Sequence, residues 1–251
     1  MEVFSKEIMH IIMSNLSKER HIFCSEADFQ FALANKIERY LEEKKVEKYN
    51  IFHEWCFEVP DKKNPEIFYK MYVDILVVIN DKYYPIELKY KTKGNIKKDY
   101  KYLTYNDNNE MEYVLKNHVA YNLNCYSYVK DIDRLEQIKK HIRMVDCCYA
   151  IMLTNEPIYW IGPKEKSSYR DFVIKEYENK FDTKKYAIPR GKLLRWYNKS
   201  GNSISDGEIE LDNSYEMDWR DYGTNLDDNR FNIKNNLENV RQFRYIISEI
   251  K

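Results

Sequence analysis

With 251 residues, 43% of them hydrophobic and 15% aromatic, the chain is long enough to bury a sizeable core and too apolar to read as disordered. Its 41 basic residues are matched by 41 acidic ones, so it lacks the overall basic excess that holds a nonspecific nucleic-acid binder on its target. The five cysteines (Cys24, Cys56, Cys125, Cys147, Cys148) form no CxxC and the five histidines have no ligand spacing, which argues against zinc and for reduced thiols in a cytoplasmic protein.

Taken in chain order, Met1–Leu16 lacks the features of a signal peptide. From Cys24 onward, Ala27, Phe31, Ala34, Ile37 and Leu41 recur at helical spacing. Ser25 followed three residues later by Asp28 is a variant of the capping box, which predicts a helix starting there with Glu26 in its first turn. Acids in a first turn are favoured by the helix dipole alone, so Glu26 has an ordinary explanation beside a chemical one. Ile51–Val59 alternates as a strand, with His53, Trp55, Phe57 and Val59 on one face.

Met71–Lys93 carries the most information. Two apolar runs are joined by the polar turn Asn80-Asp81-Lys82. On the second run, period-two alternation puts Glu87, Lys89 and Lys91 on one face and Ile86, Leu88 and Tyr90 on the other. On the first, Asp74 shares a face with Tyr72, Leu76 and Val78, opposite Val73, Ile75, Val77 and Ile79. Both faces are apolar, which predicts a strand buried on two sides, where an ionised Asp74 needs a cation or hydrogen bonds. A hairpin would bring Asp74 and Glu87 onto neighbouring strands within reach of one ion. Hard oxygen ligands of this kind suit Mg²⁺ or Mn²⁺, and Lys89 would stand beside the metal-bound water.

Gly94 and the polar run to Asn109 read as a loop. From about Met111 to Arg143 the pattern is helical, with Leu123, Val129, Ile132, Leu135, Ile138 and Ile142 as a core-facing stripe. Lys130, Asp131, Arg134 and Glu136 read as charge pairs on its solvated face, with contact to substrate as the alternative. Cys147–Thr154 is a buried strand. The predicted order is helix, three strands, helix, strand. Beyond Glu156, Ile158–Trp160 is expected to continue a sheet, and Lys192–Tyr197 and Phe243–Ile250 to be strands or buried segments. This tail decorates the same domain, and its Trp219, Tyr222 and Arg230 either line a cleft or pack.

An aspartate followed by Glu-x-Lys on the next strand, in that order of elements, resembles the PD-(D/E)xK phosphodiesterase superfamily. The resemblance implies a mixed α/β (α+β) restriction-endonuclease-like αβββαβ core spanning roughly residues 20–160 of a single domain, with a β-rich extension over the remainder. It implies Glu26 as the helix-borne acid, Asp74 and Glu87 as metal ligands with the Leu88 carbonyl as a further one, and Lys89 as the residue that orients or helps deprotonate the attacking water. Val73 stands where the family name has proline. Asn124 and Tyr128 match the spacing of a supporting Gln-x-x-x-Tyr, with Asn for Gln, and this places Tyr128 toward substrate.

Lys91 and Lys93, with Lys97, Lys98 and Lys101 beyond them, are placed to hold phosphates or to form a solvated loop. The interspersed Tyr83, Tyr84, Tyr90, Tyr100, Tyr102 and Tyr105 could stack on unpaired bases. The expected activity is Mg²⁺- or Mn²⁺-dependent hydrolysis of nucleic acid, DNA in preference to RNA, leaving a 5′-phosphate and a 3′-hydroxyl. The alternatives are a catalytically inactive binding or interaction module of that fold, and a mixed α/β interaction protein in which Asp74, Glu87 and Lys89 form a buried ion-pair group. No Walker loop, GxGxxG or G-x-S-x-G elbow appears, and no apolar run approaches the roughly 20 residues that span a bilayer, so a membrane partner is not expected. A homodimer is left open.

Overall fold

The computed structural model describes residues 4–62, 64–94, 103–105, 111–113, 115–179, 181, 183–223 and 242–251. Helices α1 (Lys6–Glu19) and α2 (Glu26–Glu43) precede strands β1 (Tyr49–Pro60), β2 (Phe68–Ile79) and β3 (Lys82–Lys91). A small hairpin of β4 (Leu103–Tyr105) and β5 (Met111–Tyr113), helix α3 (Tyr121–His141) and strand β6 (Cys148–Thr154) follow. The tail holds α4 (Ile158–Ile161), β7 (Ala187–Ile188), β8 (Leu193–Tyr197), β9 (Ser203–Glu210), β10 (Tyr215–Glu216), β11 (Arg220–Asp221) and β12 (Arg244–Ile250). The chain is a mixed α+β fold around a six-stranded sheet ordered β1-β2-β3-β6-β12-β11.

Local chemistry accounts for the elements that carry the site. Ser25 caps α2 by accepting from Asp28 N at 3.1 Å, and Arg20 grips the Asp28 carboxylate with two hydrogen bonds of 3.0 and 2.7 Å. The β2–β3 hairpin turns on Asn80 (φ 49°) and Asp81 (φ 64°), residue types that tolerate the left-handed conformation a two-residue primed turn requires. Strands β3 and β6 run parallel, which needs a crossover, and α3 lies within it.

Two hydrophobic layers cover the sheet. On one face α1 and α2 pack Met9, Ile12, Phe29, Leu33 and Ile37 against Ile75, Val77, Ile86, Leu88, Ile151 and Ile247. On the other, Tyr128, Val129, Ile132, Leu135 and Ile138 of α3 pack with Phe172, Leu194, Met217 and Trp219 of the tail against Leu76, Ala150, Met152 and Ile246. Both layers use fully buried aliphatic side chains, each costing about 2–5 kcal/mol to truncate.

The edge ribbon departs from simple alternation. In β2, Ile75, Val77 and Ile79 belong to the α1/α2 layer, but Val73 and Met71 belong to the α3 layer. In β1, Tyr49 and Ile51 face α1/α2 while Phe57 and Val59 face α3. The two strands exchange faces together, at Glu54 (φ 52°) and at Asp74, which are opposite each other in the register bounded by His53↔Ile75 and Trp55↔Val73. The single faces expected for His53 through Val59 and for Val73 through Ile79 are therefore corrected. A positive φ at a non-glycine residue redirects the side chains after it.

Other differences have equally local causes. Helix α3 begins at Tyr121 rather than near Met111, because Met111–Tyr113 pairs with Leu103–Tyr105 inside the expected loop. Leu123, expected on the core stripe, is 56% exposed. Ile158–Trp160 lies in a single helical turn after Pro157 and does not continue a sheet. As expected, β12 and β8 form from the late apolar segments, and β12 extends the central sheet by pairing antiparallel with β6. Among the described residues no helix is long and apolar enough to cross a membrane, and no disulfide joins any of the five cysteines.

Candidate active site

The β2–β3 ladder closes at Ile75↔Ile86, so the next pair, Asp74 and Glu87, stands where the two strands part. The Asp74 carboxylate turns into that fork and Oδ2 accepts from Leu88 N at 2.5 Å. Its backbone carbonyl accepts from Gln30 Nε2 of α2, also at 2.5 Å, and the same amide donates to Glu54 Oε1 at 3.2 Å. Burial pushes the Asp74 carboxyl up to about 6, with Glu26 and Glu54 adding to the rise and the Leu88 hydrogen bond and Lys89 opposing it.

Glu87 and Lys89 lie on the α3 side of β3, as alternation requires. Glu87 is buried, with Oε1 2.8 Å from Arg134 Nη1, and Lys89 Nζ is 2.6 Å from Asp131 Oδ2. Burial, then Asp131 and then Asp74, raises Glu87 well above the carboxylate range against the pull of Arg134. Burial raises Asp131 as well, opposed by Lys89 and Arg134. For Lys89, burial alone would lower the pKa, but Asp131, Glu26 and Glu87 together hold it above the ordinary lysine value. Lys89 is therefore an ammonium, and its Nζ also donates to Leu88 O at 3.3 Å.

From the opposite side, the first turn of α2 brings Glu26 onto β3. Its Oε2 accepts from Tyr90 N at 2.7 Å and from Lys91 Nζ at 2.9 Å. The expected set of Glu26, Asp74, Glu87 and Lys89 is thus gathered around one short length of β3. It is gathered differently from a ready-made ligand shell: among the described residues no three His, Cys, Asp or Glu side chains converge tightly enough to hold an ion as they stand. Glu26 is turned to Lys91 and Glu87 to Arg134.

Three expected substrate contacts change meaning. Lys91 is engaged by Glu26, and Lys93 Nζ lies 3.8 Å from Glu156 Oε2 with its backbone N–H donated to Asn155. Tyr128 is corrected outright: it is fully buried, its hydroxyl set between Ala150 O at 3.1 Å and Ser248 Oγ at 3.0 Å, where no substrate reaches. Asn124, its partner in the motif, donates to Tyr159. Lys97, Lys98, Lys101, Tyr100, Tyr102 and Arg230 lie outside the described residues.

Gln30 and Glu54 also reach the candidate site without a sequence reading that placed them there, and Asp131 and Arg134 reach it where the sequence favours a solvated face over contact with substrate. Asp131 and Glu136 were read on a solvated face, yet both are buried. The signal was present, since Asp131 is three residues after Tyr128 and four before Leu135 and so sits within the core stripe. Gln30 likewise precedes Ala34 by one helical turn. Glu54 had no such mark.

Oxygen donors are the type a hard divalent cation takes. Five carboxylates (Glu26, Glu54, Asp74, Glu87, Asp131) act on one another's ionisation or on Lys89 here. The expected ligands Asp74, Glu87 and the Leu88 carbonyl all offer oxygens, and among the described residues the buried Glu87 Oε1 has no hydrogen-bond partner, only the Arg134 ion pair. No protein-family model, curated protein or solved structure matches the chain.

Proposed function

We propose that the protein is a divalent-metal-dependent phosphodiesterase of the PD-(D/E)xK type that hydrolyses nucleic acid, DNA in preference to RNA. The observation that carries this reading is the pair Asp74 and Glu87 at the parting of β2 and β3, with ammonium Lys89 beside them. Asp74, Glu87 and the Leu88 carbonyl would hold Mg²⁺ or Mn²⁺, with Glu26 approaching from α2. The ion, when bound, supplies polarisation of the scissile phosphate and a water of lowered pKa.

The chain's own residues do the rest. Lys89, held charged by Asp131, orients the attacking water and stabilises charge developing on the phosphate, and it is not the base. Asp74 is fixed in the fork by Leu88 N and, through its backbone, by Gln30. In-line attack leaves a 5′-phosphate and a 3′-hydroxyl.

A second reading is favoured by the Lys89–Asp131 and Arg134–Glu87 contacts, which suit a buried ion-pair group in a non-catalytic interaction protein. Incubation with single-stranded and duplex DNA and RNA, with Mg²⁺ or Mn²⁺ and with chelator, separates the two. Metal-dependent cleavage that Asp74→Ala and Lys89→Ala abolish supports the nuclease; cleavage undiminished in both variants, or none by the wild type on any substrate, rejects it.

A further inference from the structure

We propose that Arg134 stands in for the cation in the metal-free protein, holding Glu87 until a divalent ion binds, and that its guanidinium then takes the substrate phosphate. This rests on the metal-centred reading above. The guanidinium is anchored by two groups that an ion at Glu87 would leave in place. Its Nη2 donates to Tyr72 O at 2.5 Å, and its Nη1 donates to Asp131 Oδ1 at 3.3 Å.

The contact with Glu87 is of another kind. Nη1 lies 2.8 Å from Glu87 Oε1 without forming a hydrogen bond, so that oxygen, like Asp131 Oδ2 beside Lys89, has no hydrogen-bond partner among the described residues. Two other arginines show how a structural pair is built in this molecule. Arg20 grips Asp28 with two hydrogen bonds of 3.0 and 2.7 Å, and Arg244 grips Glu176 with two of 2.8 and 2.9 Å. Glu87, with a side chain 5% exposed, is more buried than either of those acids, at 28% and 15%, yet has the poorer partner. A buried pair offsets the desolvation of its charges only when its geometry is good and its remaining lone pairs are satisfied. Arg134–Glu87 fails that requirement as a permanent ion pair and meets what an exchangeable one needs, since the arginine side chain keeps 26% of its surface open to solvent.

Charge fixes the direction of the exchange. At equal distance, a divalent ion is repelled by a guanidinium twice as strongly as the guanidinium is attracted to one carboxylate, so ion and arginine compete for Glu87. Released from Glu87, the planar fork remains beside the candidate centre, where it suits two oxygens of a phosphate.

The test is Mn²⁺ titration of the full chain at mildly alkaline pH, read by melting temperature, for the wild type, Arg134→Met, Arg134→Gln and Arg134→Lys. The neutral variants should bind Mn²⁺ about tenfold more tightly or better, while Arg134→Lys stays within about threefold of the wild type. Using both neutral variants keeps the result readable if one folds poorly. With Mn²⁺ saturating, their KM for nucleic acid should rise about tenfold with kcat changed less, a split that lost packing would not give. No Mn²⁺ response in the wild type would remove the metal-centred reading itself. A wild-type response with equal or weaker Mn²⁺ binding by the neutral variants, or with unchanged KM, would overturn the exchange alone.

Discussion

Lys89 Nζ lies 2.6 Å from Asp131 Oδ2, tying the β3 lysine to helix α3 where neither side chain has much access to water, 15% and 6% exposed respectively. The pair explains how a lysine stays charged in the interior. It also couples the hairpin that carries the carboxylates to the helix that covers them.

Removing the carboxylate should cost stability and activity together. Asp131→Asn leaves a buried ammonium without its counter-charge, and urea denaturation should show a loss of about 3 kcal/mol. If the variant cleaves, the limb of its pH–rate profile that follows Lys89 should move to lower pH, because burial then prevails over the remaining carboxylates. An unchanged profile would disconnect Asp131 from Lys89.

Asp74 should be a source of instability in the metal-free protein. Its folded pKa of about 6 lies above the ordinary 3.8, so between those values the native state binds more protons than the unfolded state, and stability falls as pH rises through that window. Above about pH 6 the full cost remains. Asp74→Asn keeps an acceptor for Leu88 N and should be more stable than the wild type by about 1–3 kcal/mol at neutral pH, with the advantage fading below pH 4. Paired melts across that range decide it, and equal stability at neutral pH would contradict it.

The kink in β1 should be separable from the chemistry of Glu54. Glu54→Gly removes the strain of a positive φ and should leave thermal stability unchanged or raise it by about 0.5–1 kcal/mol, whereas Glu54→Val should lower it. A marked loss in the glycine variant would mean that the hydrogen bond from Gln30, not the backbone, dominates at this position.

Tyr128→Phe deletes a buried hydroxyl that bonds Ala150 O and Ser248 Oγ, and should cost about 1–2 kcal/mol in denaturation while KM for nucleic acid stays unchanged. A raised KM with intact stability would return Tyr128 to the substrate.

What could be read beforehand was whatever local pattern determines. The turn at Asn80-Asp81 and the alternation of β3 put Asp74 beside Glu87 and set Glu87 and Lys89 on a common face, and the Ser25 cap put Glu26 at the start of α2. The exchange of faces at Glu54 was not legible, because a glutamate at positive φ has no compositional signature. For Asp131 and Arg134 the sequence does not decide between a solvated face and the candidate site, because i,i+3 charge spacing is the same on a solvated face and on one that closes over buried carboxylates; only the tertiary contact with β3 distinguishes them. The place of β12 beside β6 depends on pairing Arg244 with Thr154, a contact that periodicity along the chain does not encode.

Calorimetric titration of Mn²⁺ into the wild type, Asp74→Asn and Glu87→Gln tests most directly whether these two acids hold a divalent ion. The expected result is saturable binding at about one or two ions per chain by the wild type, weakened at least about tenfold in each variant. Equal Mn²⁺ binding in all three proteins, or none in the wild type, would contradict the assignment.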